Sequence, residues 1–192
     1  MTNQISSKEV EIILRELRRV INNGTSGDVV EFGCYDGGTS VHLAKEIIGT
    51  DKKLYVYDSF EGLPEKTSAD TSPLGLQFMP GELSVSKKQF IKNIMSARVP
   101  MPIIKKAWFS DLTLEDVPKQ ISFAFLDGDY YLSIVDSQKL IEKSIVTGST
   151  IIVDDYGNSA LPGVARAVDE WLSRHDAIKK VEQSLAIIYI RN

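Results

Sequence analysis

Apolar residues near the start of the chain recur at the spacing of one helix face. Ser6 and Glu9 stand at the spacing of a capping box, in which each side chain bonds the backbone of the other residue. The apolar positions that follow are Val10, Ile13, Leu14, Leu17, Val20 and Ile21. This periodicity predicts a first helix over residues 7–22.

Farther along, short apolar runs alternate with stretches of helical spacing. The runs predict strands at residues 28–32, 54–57, 103–106, 121–126, 150–153 and 185–190. Helices are expected at about 39–49, 87–96, 131–145 and 164–172. This alternation is typical of an α/β fold in which a mostly parallel sheet has helices on both faces.

Residues 61–83 differ from the rest of the chain because they are rich in Pro, Gly, Ser and Thr and lack a sustained period. The segment is longer than an ordinary connection, and such loops are usually either functional or disordered. A lid over a site and a disordered surface loop are both compatible with this composition.

Composition narrows the classes of function. The 192 residues are enough for one core and contain no linker-like stretch, so we expect a single domain over residues 1–192. A net charge of −4 without a basic stripe argues against nucleic acid as a partner. The chain has one cysteine, no apolar signal sequence and no run of about 20 apolar residues. We therefore expect a cytoplasmic protein without a membrane partner.

Three aspartates that follow two of the predicted strands are the first candidates for chemistry. Asp127 follows one apolar run, and Asp154 and Asp155 follow another. Ligands of an open parallel sheet bind beyond the carboxyl ends of its strands, so these carboxylates should face one crevice. They would repel one another unless a divalent cation joins them or some are protonated, and oxygen ligands suit magnesium. The alternative for each is a helix N-cap or a solvent-facing loop, and we expect Asp129 to be a cap.

The turn after the first predicted strand has the spacing of a cofactor site. Gly33, Gly37 and Gly38 form a G-x-x-x-G-G pattern, but Tyr35 stands where a dinucleotide fold needs glycine beside the pyrophosphate. Glu31 adds a negative charge that would repel phosphate and attract an ammonium group. S-adenosylmethionine carries an ammonium and a sulfonium but no phosphate, so we favour this cofactor over NAD. The glycines alone also fit a tight turn without a ligand.

Asp58 ends the second predicted strand about 20 residues after the glycine turn, where an acidic side chain can accept hydrogen bonds from both ribose hydroxyls. Its position after Glu31 and the glycines strengthens the cofactor hypothesis. We assign the cofactor to positions in this turn and this strand end, namely Glu31, Gly33, Tyr35, Gly37, Thr39, Ser40, Asp58, Ser59 and Phe60.

Six short motifs occur in a fixed order along the chain. They are VEFG at 30–33, YDSFEGLP at 57–64, GELSVS at 81–86, WFSD at 108–111, LDGD at 126–129 and VDDYG at 153–157. Together they resemble the motifs of the macrocin O-methyltransferase family, over about residues 28–172. The resemblance implies a Rossmann-like class I methyltransferase fold with a mostly parallel seven-stranded sheet. It also implies methylation of a hydroxyl group, on a sugar in the named members.

The resemblance also implies roles for individual residues. Glu31, Gly33 and Asp58 would hold S-adenosylmethionine. The motif at 108–111, with Trp108, Phe109 and Ser110, would border the adenine. Asp127, Asp154 and Asp155 would bind Mg²⁺ and so serve catalysis, and Asp127 would also border the cofactor.

Methyl transfer to an alcohol requires an activated oxygen nucleophile. Magnesium would lower the pKa of the acceptor hydroxyl and fix its approach. No general base is evident, because His42 and His175 are expected to be surface or packing residues. Related catechol-type enzymes place a lysine just after the first metal aspartate, where this chain has tyrosines. We therefore expect a metal-bound aspartate to accept the proton. Cys34 is expected to be a small buried residue.

Two other functions remain open. A metal-dependent glycosyltransferase would use Asp127-Gly128-Asp129 as a D-x-D pattern, but it leaves Glu31 and Asp58 unexplained. A non-catalytic protein could keep the cofactor-binding fold. The expected partner is a small-molecule hydroxyl acceptor, a sugar or a glycosylated natural product. Because the connection near residues 182–184 is short, acceptor recognition falls to residues 61–83 or to a neighbouring subunit of a homo-oligomer.

Overall fold

The protein folds as one seven-stranded sheet with helices on both faces. The computed structural model describes residues 5–75 and 78–191. The helices are α1 (Ser7–Asn22), α2 (Gly38–Glu46), α3 (Lys87–Ala97), α4 (Tyr131–Ile141) and α5 (Pro162–Leu172). The strands are β1 (Asp28–Phe32), β2 (Leu54–Asp58), β3 (Ile103–Lys106), β4 (Ile121–Leu126), β5 (Ile145–Val153), β6 (Ala177–Glu182) and β7 (Leu185–Ile190).

The strand order is β3-β2-β1-β4-β5-β7-β6. The first five strands in this order are parallel, whereas β7 runs antiparallel to both β5 and β6. The expected α/β fold with a mostly parallel seven-stranded sheet is thus confirmed. Among the described residues, no helix has the length and apolar character needed to cross a membrane.

Alternating residues of the central strands supply two apolar layers. Val30 and Phe32 of β1 face the layer that α4 and α5 cover, whereas Val29 faces the layer covered by α1, α2 and α3. Helices cover both layers, so the central strands are buried on both faces, as is typical of parallel sheets. Because both faces of the central strands are covered, polar side chains can reach solvent at the carboxyl ends of these strands.

Helix α1 begins and ends at the residues that its capping box and periodicity predict. Ser6 Oγ accepts a hydrogen bond from the Glu9 backbone N–H at 3.2 Å, and Glu9 Oε2 accepts one from the Ser6 N–H at 3.0 Å. This reciprocal pair satisfies two of the amides that a helix start leaves unpaired.

Several boundaries differ from those predicted, and α2 ends at Glu46 instead of residue 49. Helix α4 ends at Ile141 instead of residue 145, and β5 begins at Ile145 instead of residue 150. The apolar residues 141 and 145 are one helical turn apart, but Ile145 instead pairs with Ile121 across an irregular register. Strand β6 was not predicted, because as an edge strand it alternates between partly buried and exposed positions without a clear apolar run.

The carboxyl ends of four strands lie level, and this alignment assembles the site. Phe32 pairs with Tyr57 and Leu126, and Leu126 pairs with Val153. The next residues of β1, β2, β4 and β5 are therefore adjacent, and they are Gly33, Asp58, Asp127 and Asp154. Backbone hydrogen bonds continue the ladder past the strand ends, from the Gly33 N–H to the Tyr57 carbonyl at 2.9 Å and from the Asp127 N–H to the Phe32 carbonyl at 2.8 Å.

Replacing Gly33 by alanine is expected to destabilise the fold more than replacing Gly49 by alanine. Both glycines have a positive φ, 85° and 83°, so both variants carry a similar conformational penalty of about 1 kcal/mol. Only at Gly33 would the new Cβ collide with backbone, 1.9 Å from the Asp127 carbonyl oxygen, whereas no described atom lies within 4 Å at Gly49. In urea unfolding, Gly33→Ala should lose at least about 2 kcal/mol more than Gly49→Ala. Equal losses would show that the close approach of β1 and β4 tolerates a side chain.

Candidate active site

Three carboxylates converge at the carboxyl edge of the sheet. One oxygen from each of Asp127, Asp154 and Asp155 lies within 4.8 Å of the others, and we call these residues the three-aspartate group. Opposite ligands of an octahedral magnesium ion lie roughly 4.2 Å apart, because each bond is about 2.1 Å. Small rotations of the side chains would therefore suffice to bind the ion, and carboxylate oxygens are the ligands that magnesium prefers.

The backbone turn after β5 directs both of its aspartates into the group. Asp155 has a left-handed φ of 55°, which is uncommon for a residue other than glycine. The Asp155 N–H donates to Asp154 Oδ1 at 2.8 Å, and Asn158 Nδ2 donates to Asp155 Oδ1 at 2.9 Å. Because these bonds use only part of the acceptor capacity, both carboxylates can still coordinate a cation.

The electrostatics of this edge favour bound positive charge. Loss of hydration raises the pKa of Asp127 well above its usual range, and repulsion from Asp154 raises it further. Burial and the charge of Asp155 likewise raise the pKa of Asp154 to about 7. A divalent cation reverses this effect, since an opposite charge favours the ionised form. The chemistry of the group therefore fits a metal site.

Asp58 fixes the shape of the glycine turn. Its Oδ2 accepts hydrogen bonds from the N–H groups of Cys34 at 2.8 Å and Tyr35 at 3.3 Å, and Oδ1 accepts one from the Phe60 N–H at 2.6 Å. The Asp58 carboxylate also lines a large cavity. It can therefore accept hydrogen bonds from ligand hydroxyls while it holds the turn, because each carboxylate oxygen has two lone pairs.

Glu31 is fully buried behind the turn. Ser40 Oγ donates to its Oε2, whereas its Oε1 has no hydrogen-bond partner within residues 5–75 and 78–191. Burial raises the pKa of Glu31 to about 8, and the nearby charge of Asp58 adds to the shift, against the hydrogen bond from Ser40. A buried acceptor without a partner is unfavourable, so this oxygen is suited to a donor group of a ligand. A cationic donor would also restore the ionised form of Glu31.

Two cavities meet at the strand ends. The larger, of about 650 Å³, is bounded by the strand ends, residues 62–65, the start of α4 and the turn between β6 and β7. The smaller, of about 40 Å³, lies between α1 and the glycine turn, and Glu31, Thr39 and His42 line it. Their combined size is within the range of small-molecule sites.

The structure brings most of the sequence-predicted residues to these cavities. Those lining the larger one are Gly33, Tyr35, Asp58, Ser59, Trp108, Phe109, Ser110 and the three-aspartate group. Glu31 and Thr39 line the smaller one, together with Gly33, Tyr35 and Asp127.

Three predicted cofactor positions line neither cavity. A Cβ at Gly37 would lie 3.0 Å from the Phe90 ring, so this glycine is a packing position against α3. Phe60 also packs on Phe90, with 5.7 Å between the ring centres. Ser40 is buried and holds Glu31. These residues support the cavity walls from behind.

Asp129 does not cap α4, contrary to the prediction. The N-cap position of α4 is Tyr130, whose side chain makes no capping bond, and the Tyr131 N–H instead donates to Asp70 Oδ1 at 2.7 Å. Asp129 has a left-handed φ of 57° and lines the large cavity. Burial and the charges of Asp155 and Asp154 raise its pKa to about 8. Asp129 therefore adds a further carboxylate to the cavity wall beside the three-aspartate group.

Asp70 ties the segment 61–83 to α4 and α5. The Asp70 side chain is buried, and its Oδ2 accepts bonds from Thr67 N–H at 2.9 Å and Thr67 Oγ1 at 2.7 Å. A Cβ at Gly163 of α5 would lie 2.0 Å from Asp70 Oδ1, so the missing side chain makes room for the contact. Residues 76–77 of this segment lie outside the described residues. This anchor could not be predicted from a local pattern, because it joins residues that are far apart in the chain.

The start of α1 also reaches the site. Ser184 Oγ, in the turn between β6 and β7, lies 2.6 Å from Glu9 Oε1 and 3.2 Å from Asp154 Oδ1. Sequence reasoning identified Glu9 only as a helix cap. Its second oxygen holds the serine that contacts a member of the three-aspartate group.

Residues 3–189 match the model of a protein family described as Macrocin-O-methyltransferase (TylF). Demethyldecarbamoylnovobiocin O-methyltransferase of Streptomyces niveus is 30% identical over 182 residues, which are 90% of this chain and 68% of the relative. The 8-demethyl-8-(2,3-dimethoxy-alpha-L-rhamnosyl)-tetracenomycin-C 4'-O-methyltransferase of Streptomyces olivaceus is 29% identical over 175 residues, which are 85% of this chain and 66% of the relative. The chain thus spans about two thirds of the length of these relatives.

Solved structures show the same fold. The O-methyltransferase NovP superposes with a TM-score of 0.84 at 24% identity, over 98% of this chain and 81% of that one. The calicheamicin methyltransferase CalS11 superposes with a TM-score of 0.78 at 16% identity, over 95% of this chain and 78% of that one. The class I methyltransferase fold implied by the motifs is therefore confirmed.

Replacing Glu31 by glutamine is expected to flatten the dependence of stability on pH. The pKa of Glu31 rises from 4.5 to about 8 on folding, so only the unfolded chain loses this proton between those values. The free energy of unfolding should therefore fall across this window by up to about 1.4 kcal/mol per pH unit, and this contribution is lost above pH 8. Urea titrations of Glu31→Gln from pH 5 to 8 should show a shallower fall than the parent. Glu11→Gln, at an exposed position of α1, is the control, and profiles of Glu31→Gln and parent that run parallel would contradict the expectation.

Proposed function

The chain belongs to the macrocin O-methyltransferase family and is an S-adenosylmethionine-dependent O-methyltransferase, and from this premise we propose that it methylates a hydroxyl of a sugar or glycosylated natural product with the help of Mg²⁺. The observation that carries the proposal is the three-aspartate group, which lies beside the glycine turn in the wall of one cavity. The relative from Streptomyces olivaceus is named for a rhamnosyl acceptor, which supports a sugar here.

The residues around the glycine turn would hold the cofactor. Glu31, with its unpartnered Oε1, would accept a hydrogen bond from the methionine ammonium. Asp58 would accept bonds from the ribose hydroxyls, and Trp108 to Ser110 would border the adenine. When bound, the sulfonium supplies the methyl group.

The three-aspartate group would hold the metal and orient the acceptor. Magnesium, when bound, supplies a positive charge that lowers the pKa of the acceptor hydroxyl. Asp129 would accept the hydroxyl proton, since it lines the same cavity, lies outside the three-aspartate group and is not used as a cap. A carboxylate in the cavity can act as a general base in its ionised form, which a bound cation nearby would favour.

The segment 61–83 would act as a lid. Asp70 would be a fixed point within it, and the residues on either side of Asp70 would move. Its base is closed by the bonds Leu63 N–H to Glu82 carbonyl and Gly81 N–H to Leu63 carbonyl, both 2.8 Å. The Tyr130 hydroxyl also donates to the Phe78 carbonyl at 2.9 Å, and both residues line the large cavity. Ligand contacts would draw the described residues of this segment towards the cavity.

Hydrogen exchange tests the lid. Addition of S-adenosylhomocysteine and Mg²⁺ should slow amide exchange in residues 61–83, because ligand contacts favour the closed form. The connection 47–53 between α2 and β2 is the internal control and should not respond. Asp70→Ala should raise exchange in 67–75 before ligand is added, since three hydrogen bonds to its carboxylate are lost. Unchanged exchange in 61–83 on ligand binding would make this segment an inert loop.

The reaction itself is tested with labelled S-adenosylmethionine and a panel of sugars, glycosides and catechols, with and without Mg²⁺. Asp154→Asn should weaken Mn²⁺ binding, a spectroscopic substitute for Mg²⁺, by at least about tenfold and lower turnover to a similar extent. Asp129→Asn removes the same charge from the cavity and is the matched variant. It should lower turnover but leave Mn²⁺ affinity within about twofold of the parent, because Asp129 is not a ligand. Full turnover in excess EDTA, or equal loss of metal affinity in both variants, would contradict the assigned roles.

A further inference from the structure

The turn between β6 and β7 lies against the three-aspartate group. Val153 of β5 pairs with Ala186 of β7, so Asp154, the next residue of β5, lies beside the residues that begin β7. Strands β6 and β7 are joined by Gln183 and Ser184 alone, and Gln183 has a left-handed φ of 56°. This short turn brings the Ser184 side chain to the group, with its Oγ 3.2 Å from Asp154 Oδ1.

The backbone of Ser184 is fixed against the turn that contains the aspartates of β5. Its carbonyl accepts a hydrogen bond from the Gly157 N–H at 2.9 Å. A Cβ at Gly157 would lie 3.2 Å from the Gln183 carbonyl oxygen and 3.3 Å from Ser184 Cα, so glycine permits this close packing. The position of the Ser184 hydroxyl beside Asp154 therefore depends on the rotation of one side chain.

Glu9 of α1 limits that rotation. Ser184 Oγ lies 2.6 Å from Glu9 Oε1, and the Ser184 N–H donates to the same oxygen at 3.4 Å. The other oxygen, Glu9 Oε2, accepts hydrogen bonds from the Ser6 N–H at 3.0 Å and from Ser6 Oγ at 2.6 Å. Each oxygen of this carboxylate thus has two donors, and together they hold the Glu9 side chain between the start of α1 and the β6–β7 turn.

The Ser184 hydroxyl has one proton and two neighbouring carboxylates. Glu9 Oε1 is the nearer, so it keeps Ser184 Oγ in place, and Asp154 Oδ1 meets the hydroxyl there. Asp154 Oδ1 also accepts the Asp155 N–H at 2.8 Å. Two contacts on Oδ1 restrict the rotation of the Asp154 carboxylate and so hold its other oxygen in one position. Groups that hold a metal ligand in this way typically change metal affinity by about 10- to 100-fold.

On the basis of the proposed function, we infer that Ser184 and Glu9 are positioning residues of the metal site: Glu9 holds Ser184, and Ser184 holds Asp154 in the orientation that binds Mg²⁺. The first turn of α1 thereby supports the metal site, while Ile5 and Val10 line the smaller cavity in front of the glycine turn. Loss of either positioning residue should weaken metal binding although no ligand is removed.

Manganese binding separates this role from a purely structural one. Ser184→Ala removes the hydroxyl but no charge, and it leaves the backbone bond to Gly157 in place. In a titration followed by electron paramagnetic resonance, this variant should bind Mn²⁺ at least about tenfold more weakly than the parent. Ser184→Thr keeps a hydroxyl and should recover most of the lost affinity. Equal affinity of Ser184→Ala and the parent would overturn the inference.

Ser6→Ala is the matched control for helix capping. It removes the hydroxyl that accepts the Glu9 N–H and donates to Glu9 Oε2, so it should lower the urea midpoint of unfolding. Its Mn²⁺ affinity should stay at the parent value, because the Ser6 N–H and Ser184 still hold Glu9. A loss of Mn²⁺ affinity equal to that of Ser184→Ala would contradict the inference, since it would attribute both losses to the stability of α1.

A double-mutant cycle tests whether Glu9 acts through Ser184. Glu9→Ala should weaken Mn²⁺ binding in the parent and should weaken it much less in the Ser184→Ala background. Attraction between the Glu9 charge and the ion would persist without the hydroxyl, so equal effects in both backgrounds would overturn the role of Glu9. Failure of the parent to bind Mn²⁺, or unchanged affinity in Asp154→Asn, would instead contradict the proposed function, so the two failures are distinguishable.

Discussion

The site depends on one constraint, the level pairing of four neighbouring parallel strands. Because Phe32 pairs with both Tyr57 and Leu126, and Leu126 with Val153, the next residue of each strand reaches the same edge at the same height. A shift of one residue in β2, β4 or β5 would turn its aspartate to the other face of the sheet. The packing of α1 to α5 on the two core layers holds this register and with it the geometry of the site.

This constraint brings together groups that repel one another. Burial raises the pKa values of Asp127, Asp154 and Asp155 and favours their neutral forms. The fold stabilises this arrangement through backbone bonds and the packing behind it, with left-handed residues at Asp129 and Asp155. Strain and unfavourable charge at one place are typical of sites that are preorganised for a ligand.

Site residues that directly follow a strand could be predicted from the sequence. Residues whose roles depend on distant contacts were assigned wrongly or only in part. Asp127 and Asp154 could be found because a short apolar run marks the end of each strand. Asp129 was expected to cap α4, but the Tyr131 N–H donates to Asp70, which lies 61 residues before Tyr131. Glu9 was recognised as a cap, yet its contact with Ser184 spans 175 residues, and no local pattern reports such a separation. Strand β6 was missed because an exposed edge lacks an apolar run.

Asp70 connects the segment 61–83 with the start of α4. Its carboxylate anchors the segment 61–83, and the same oxygen that receives the Tyr131 N–H occupies the start of α4. If a residue next to α4 capped this N–H instead, Asp70 would lose the hydrogen bond that joins its carboxylate to α4. With Asp70 as the acceptor of this N–H, Asp129 lines the cavity and the loop is tied to α4. One long-range hydrogen bond thus couples the position of the loop to the start of α4 and to the cavity wall beside it.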